Sequence, residues 1–299
     1  LIAHKGKLLF ESYYNRGRIN LPHFQSSATK SYTSLLFGRA IQLGYLTVDD
    51  LDKPMVFFLN GLDQTKFVDG AEKITLHHAL TMTPGLKFSD EQVKKFREDE
   101  EQFKGLAQIQ AFLEQSRPIT SASQDYHYRG FGPIMAMNML DAIVPGTAKG
   151  FIKNEFFGKL AITNYTWRDD KSGLPLGDSG ARLTSRDMLK LGMLMINDGK
   201  WNGEQLLSSD YIAKATSPII PASEDWQGPE TYFYGYLWYT TNMTSGGKSY
   251  DVKVAWGGGG NRIILIDELD LVVALTGYDL VDTKVMEQVS KVILPAFVK

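Results

Sequence analysis

Ser27 and Lys30 lie three residues apart, where Ser26-Ser27-Ala28-Thr29-Lys30 opens a run of helical spacing. On a helix, residues three apart share a face. A serine at or just inside a helix start lies beside free backbone N–H groups and the positive end of the helix dipole, which favour developing negative charge. The pair therefore suits nucleophilic chemistry, with the lysine as base. A lysine accepts a proton only when neutral, and bringing one from its ordinary pKa of about 10.4 toward 7 takes on the order of 4 to 5 kcal/mol. Burial beside another cation or near a helix N-terminus supplies such a shift. The spacing alone is weak, because S-x-x-K arises on the order of once by chance in a chain of this composition. It recurs at Ser245-Gly246-Gly247-Lys248, in a glycine-rich turn that cannot hold a rigid helical pair. Taken by itself, Ser27 reads first as an N-cap serine with a structural role, and only second as a nucleophile.

The elements that would position this pair follow from the periodicities. Tyr32, Leu35, Leu36, Ile41 and Leu43 give a broad apolar stripe over 28–43, and Gly44 is a natural stop. Residues 1–14 read as a hairpin around His4-Lys5-Gly6-Lys7. Further helical stretches are expected at 75–82, 91–115, 133–143, 185–197 and 209–215. The last quarter changes to short aromatic or β-branched runs at 232–241, 250–256, 262–266 and 271–275, read as sequential antiparallel strands, with a closing amphipathic helix over 283–297. Strands at both ends with helices between predict an α+β fold, in which one antiparallel sheet is built from the two termini and a mainly helical lobe is inserted. The expected organisation is one catalytic unit of two lobes over 1–299. Residues 1–26 and 225–299 form the sheet lobe, and 27–224 the mainly helical region carrying Ser27 and Lys30.

Composition removes several function classes. The chain has 299 residues, a formal net charge of −2, 43% hydrophobic residues and no cysteine. No basic field marks a nucleic-acid or anionic-lipid partner. Disulfides, thiolate catalysis and cysteine-bearing zinc sites are excluded. None of the five histidines has the spacing of a helical zinc pair, His77 and His78 being adjacent. A Ser-His-Asp triad stays open to spacing, but no G-x-S-x-G elbow supports one. No apolar run reaches the roughly 18 residues of a spanning helix. The chain opens at Leu1 inside a strand, so an N-terminal segment is expected to have been removed.

The segment Gln25-Ser26-Ser27-Ala28-Thr29-Lys30-Ser31-Tyr32-Thr33-Ser34 resembles the nucleophile region of the serine β-lactamase and penicillin-binding-protein superfamily. The likeness is strongest to its class C-like branch, which includes esterases, D-peptidases and 6-aminohexanoate-dimer hydrolases. It continues in order through Gly44 to Asp50, Ile74 to Leu86, Gly180 to Gly192 and Asp198 to Gly203. By this resemblance Tyr128, in His127-Tyr128-Arg129-Gly130-Phe131, takes the place of the family's proton-relaying tyrosine, with Tyr126 as the alternative in a shifted register. His127 is expected to be structural, and Arg129 to lend positive charge to the cleft. Gly130 stands where the family has an asparagine that holds the substrate amide and the lysine. Lys253-Val254-Ala255-Trp256-Gly257-Gly258-Gly259-Gly260-Asn261-Arg262 resembles the strand lining the site, without K-T-G. The resemblance implies an oxyanion hole from the N–H groups of Ser27 and Gly258. It also implies substrate contact at Trp256, Gly257 and Gly259, since glycines let a ligand approach the backbone closely. Trp238 and Trp256 read either as an apolar wall or as core.

The function so implied is hydrolysis of a small ester, amide or peptide through a Ser27 acyl-enzyme, with Lys30 and Tyr128 moving protons and with no metal or organic cofactor. An esterase or amidase ranks above a β-lactamase, because both the asparagine and K-T-G are altered. The alternative is a penicillin-binding sensor or D-peptidase-like protein acylated with little turnover. The resemblance favours a bacterial periplasmic or secreted location, with the cytoplasm open. Oligomeric state is undetermined.

Overall fold

Asn261–Ile266 and Leu271–Leu275 are almost continuous runs of Ile, Leu, Val and Ala. Such runs suit a strand covered on both faces. In a computed structural model, which describes residues 1–222, 224, 227, 231–278 and 284–298, they lie side by side near the middle of an eight-stranded sheet. Its order is Lys7–Phe10, Ile2–His4, Leu271–Leu275, Asn261–Ile266, Lys248–Gly257, Tyr239–Ser245, Phe233–Tyr234, Ile220–Pro221. Every neighbouring pair is antiparallel. The N-terminal hairpin pairs directly with Leu271–Leu275, so the two ends of the chain close one sheet, the α+β pattern expected from sequence. Among the described residues no helix is long and apolar enough to cross a membrane.

Helix Ser185–Ile196 lies on this sheet through Gly192. A Cβ there would meet Val272 Cγ1 at 2.5 Å and Ile263 Cγ2 at 2.9 Å, so only glycine permits the approach. Helix Ala28–Gln42 packs against Lys248–Gly257. It ends where Gly44 takes a φ of 79°. The helix is not the one-sided element that an apolar stripe suggests, for it is buried all round from Ala28 to Ala40. Its polar residues each find a partner, as buried polar groups must. Ser31 Oγ donates to the Leu237 carbonyl at 2.6 Å, Ser34 Oγ meets the Tyr211 hydroxyl at 2.9 Å, and Arg39 Nε donates to the Glu155 carbonyl at 2.8 Å.

Two expected elements divide. The helical stretch 91–115 is two helices, Asp90–Glu98 and Gly105–Gln115, because Gly105 turns the chain at a φ of 48° and gives its N–H to Asp170 Oδ2 at 2.7 Å. The run 232–241 breaks between Phe233–Tyr234 and Tyr239–Ser245. There Leu237, at a φ of 60°, donates its N–H to the Leu80 carbonyl and accepts from Ser31. The closing helix is present over Lys284–Gln288 and continues in helical turns to Phe297; residue 283 lies outside the described residues. A small sheet of His23–Phe24, Ala181–Leu183 and Thr166–Trp167 leads straight into the Ser27 turn.

Candidate active site

Gln25 sets the turn that presents Ser27. It is fully buried, its N–H donates to the Ala181 carbonyl at 2.9 Å, and its carbonyl accepts from Ala28 N–H at 3.1 Å. Its side chain accepts from the Tyr32 hydroxyl at 2.7 Å and donates to the His23 carbonyl at 2.8 Å. Ser26 then adopts a left-handed φ of 49°, which turns the chain sharply into the helix. Ser27 follows as the N-cap residue, with no side-chain cap hydrogen bond, so its hydroxyl is not spent on the helix end. One turn on, Lys30 Nζ lies 3.1 Å from Ser27 Oγ and donates to the Asp178 carbonyl at 2.8 Å. Lys30 is only 6% exposed.

Tyr128 lies beside the lysine, with Lys30 Nζ 5.1 Å from its ring centroid. The ring stacks at 6.4 Å on Tyr239, which belongs to an aromatic cluster with Tyr232, Tyr234 and Trp256. Tyr126, the alternative, meets the Tyr239 hydroxyl at 3.3 Å, and burial pushes its phenol well above the ordinary tyrosine range. Of the two tyrosines, Tyr128 is the one against Lys30. His127 and Arg129 are exposed, and Arg129 Nη1 donates to the Tyr128 carbonyl at 3.4 Å.

The strand Lys248–Gly257 reaches the serine turn through Gly257. A Cβ at Gly257 would stand 2.1 Å from the Gln25 carbonyl oxygen and 3.0 Å from Ala28 N, so that residue is turned to the protein and seats the strand against the nucleophile turn. Gly258 comes next and is exposed, and a Cβ there would meet nothing within 4 Å. Among the described residues neither Ser27 N–H nor Gly258 N–H has a hydrogen-bond acceptor in the protein, which leaves two backbone donors for a ligand. Gly259, at a φ of 87°, faces Gly277, whose carbonyl oxygen would lie 3.3 Å from its Cβ. Trp256 is 4% exposed and packs between Tyr232 and the Arg262 guanidinium, 3.9 Å from its ring centroid. Trp238 is wholly buried. Both tryptophans therefore follow the core reading.

Two residues of the site region went unnoticed in the sequence. Arg262 is fully buried behind the glycine loop and donates to the carbonyls of Gly257 at 2.5 Å and Asn261 at 2.9 Å. Its signal is a cation one residue beyond four glycines, followed at once by a run of Ile and Leu. Asp178 supplies the acceptor for Lys30, and its only mark is the Gly177-Asp178-Ser179-Gly180 run ahead of a family landmark. No group of three or more His, Asp or Glu among the described residues could hold a metal ion.

The β-lactamase family model matches residues 1–280. A putative β-lactamase from Bacteroides dorei superposes with a TM-score of 0.75 over 98% of this chain and 92% of its own, at 14% identity. EstCE1, described as a hydrolase with promiscuous acyltransferase activity, gives a TM-score of 0.74 over 97% of this chain and 91% of its own, at 17% identity. A putative 6-aminohexanoate-dimer hydrolase from Bacillus anthracis gives 0.70 over 96% and 75%, at 16% identity.

Proposed function

The chain belongs to the β-lactamase family, and on that premise we propose that it is a serine hydrolase in which Ser27 takes up the acyl group of an ester or amide. The observation that carries this reading is the contact between Lys30 Nζ and Ser27 Oγ, 3.1 Å at the start of a buried helix, with the Tyr128 ring centroid 5.1 Å from the amine. A nucleophile within hydrogen-bond reach of a base that a third group orients is the arrangement covalent catalysis needs.

In the proposed sequence, Ser27 Oγ attacks the carbonyl carbon while its proton passes to Lys30, with Tyr128 as relay. The oxyanion lies between Ser27 N–H and Gly258 N–H. Collapse expels the alcohol or amine, which takes its proton from the Lys30–Tyr128 pair. Water then enters by the reverse path and frees the acid. Hydrolysis of esters and linear amides is favoured over β-lactam turnover, because Gly130 offers no side chain beside the lysine and no K-T-G lines the strand. Each oxyanion donor is worth about 2.7 to 4 kcal/mol in the transition state.

A fluorophosphonate probe should label the protein at one residue, identified as Ser27 by peptide mapping, and a nitrophenyl ester should be turned over repeatedly. Labelling that persists in Ser27→Ala removes the assignment. Release of one equivalent of nitrophenol without further turnover would replace the hydrolase by an acylated sensor.

A further inference from the structure

We propose that Asp178 is a specificity-determining residue of this site: its carboxylate selects substrates that carry an ammonium or another N–H donor near the scissile carbonyl, and turns away substrates that carry a carboxylate there. The inference rests on the Ser27 reading above and names the substrate class for it.

The position of Asp178 is fixed by its neighbours. A Cβ at Gly177 would lie 2.0 Å from the Pro133 carbonyl oxygen and 3.0 Å from Met137 Cβ, so the chain is pressed against helix Phe131–Ile143. Gly180 has a φ of 94°, and its backbone lies against Arg168. The serine helix grips the same short segment at three points. Thr33 Oγ1 donates to the Gly177 carbonyl at 2.8 Å, Lys30 Nζ to the Asp178 carbonyl at 2.8 Å, and Ala181 N–H donates to Thr29 Oγ1 at 3.3 Å. Asp178 is thus held at the lysine by its backbone, whatever its side chain does.

The side chain turns to Gly130 in the tyrosine loop. A Cβ at Gly130, two residues after Tyr128, would stand 2.6 Å from Asp178 Oδ2. The carboxylate occupies the volume that a side chain at position 130 would take. Oδ1 accepts from Ser179 Oγ at 3.1 Å. Oδ2 accepts no hydrogen bond from the described residues, and no cation among them lies within ion-pair distance of either oxygen. The residue is half-buried. An ionised carboxylate only accepts hydrogen bonds. Fixed beside the lysine without a counter-charge of its own, it rewards a donor or cation on the substrate and repels an anion, and like-charge juxtaposition is an effective means of rejection.

The experiment compares β-alanyl, butyryl and succinyl nitrophenyl esters of similar size on wild type and Asp178→Asn, at low and high salt. The wild-type kcat/KM should rank β-alanyl above butyryl above succinyl, with the first ratio about tenfold or more. In Asp178→Asn the β-alanyl to butyryl ratio should fall about tenfold, and high salt should compress the wild-type ranking. A ratio unchanged by the substitution overturns the proposal. So does a wild-type preference for the succinyl ester, which would mean that Lys30 sets the field. A pair of packing variants gives a second readout. Gly130→Asn alone should lower the melting temperature sharply, and Gly130→Asn with Asp178→Gly should recover most of the loss; additive losses refute the placement of the carboxylate. Failure of the Ser27 reading is seen separately, as absence of probe labelling and of butyryl ester hydrolysis in the wild type.

Discussion

Replacing Gly257 by alanine should disable the site by moving a backbone donor without touching any reactive side chain. The new methyl carbon would stand 2.1 Å from the Gln25 carbonyl oxygen, more than 1 Å inside ordinary van der Waals contact. Gln25 cannot yield, since its amide, its carbonyl and both ends of its side chain are bonded and it is fully buried. The strand end is held in turn by Arg262 Nη1 on the Gly257 carbonyl. The expected relief is a shift of about 1 Å between Gly258 and Ser27, and misplacements of that size cost about 10²-fold in rate. Loss of one aligned oxyanion donor sets the upper range, about 10² to 10³ in kcat. Stability should fall by about 1 to 3 kcal/mol, the usual penalty of overpacking. Steady-state hydrolysis of a nitrophenyl ester, read with thermal melting by circular dichroism, measures both. Gly258→Ala is the comparison, because its methyl enters open space and its N–H remains, and its loss of kcat should be smaller. A Gly257→Ala protein that melts with wild type and keeps kcat within about threefold would refute the reasoning.

Lys30→Met should lower kcat by about 10² to 10⁴ and slow fluorophosphonate labelling in step, because the base is lost while Thr33 on the Gly177 carbonyl and Thr29 on the Ala181 N–H still hold the loop; labelling at the wild-type rate would remove Lys30 from the mechanism. Ser31→Ala should destabilise by about 1 to 3 kcal/mol by leaving the buried Leu237 carbonyl without its donor, seen as a lower denaturation midpoint at unchanged slope. Burial, partly opposed by Asp52, holds His77 and His78 below the ordinary histidine range. The unfolded chain then takes up protons that the folded chain refuses. Stability is full above the unfolded value of about 6.5 and falls as pH drops below it through the folded values. The melting temperature should therefore decline in that window, and the double variant His77→Gln/His78→Gln should flatten the decline; an unchanged slope would assign it elsewhere.

Much of the fold was legible in the amino-acid order, because strand and helix periodicities are local properties. The apolar runs at 262–266 and 271–275, the terminal hairpin and the helix stopping at Gly44 are each read from neighbours in the chain. The breaks at Gly105 and Leu237 were not. Each is fixed by a distant partner, the Asp170 carboxylate in one case and the Leu80 carbonyl and Ser31 hydroxyl in the other. The same division holds at the site. Spacing put Ser27 and Lys30 on one helical face, and family likeness pointed to Tyr128 and the glycine strand. Tertiary structure decided which tyrosine lies against the lysine, because that depends on how the 126–130 loop meets an aromatic cluster more than a hundred residues away. It turned Gly257 inward and Gly258 outward, since a 2.1 Å approach to Gln25 is a property of two chain segments and of neither alone. It also brought Asp178 to Lys30 and to the gap at Gly130, 148 residues along the chain from the one and 48 from the other. A sequence carries local preference at every position, whereas packing forces are short-ranged in space and act on whatever the folded backbone makes adjacent.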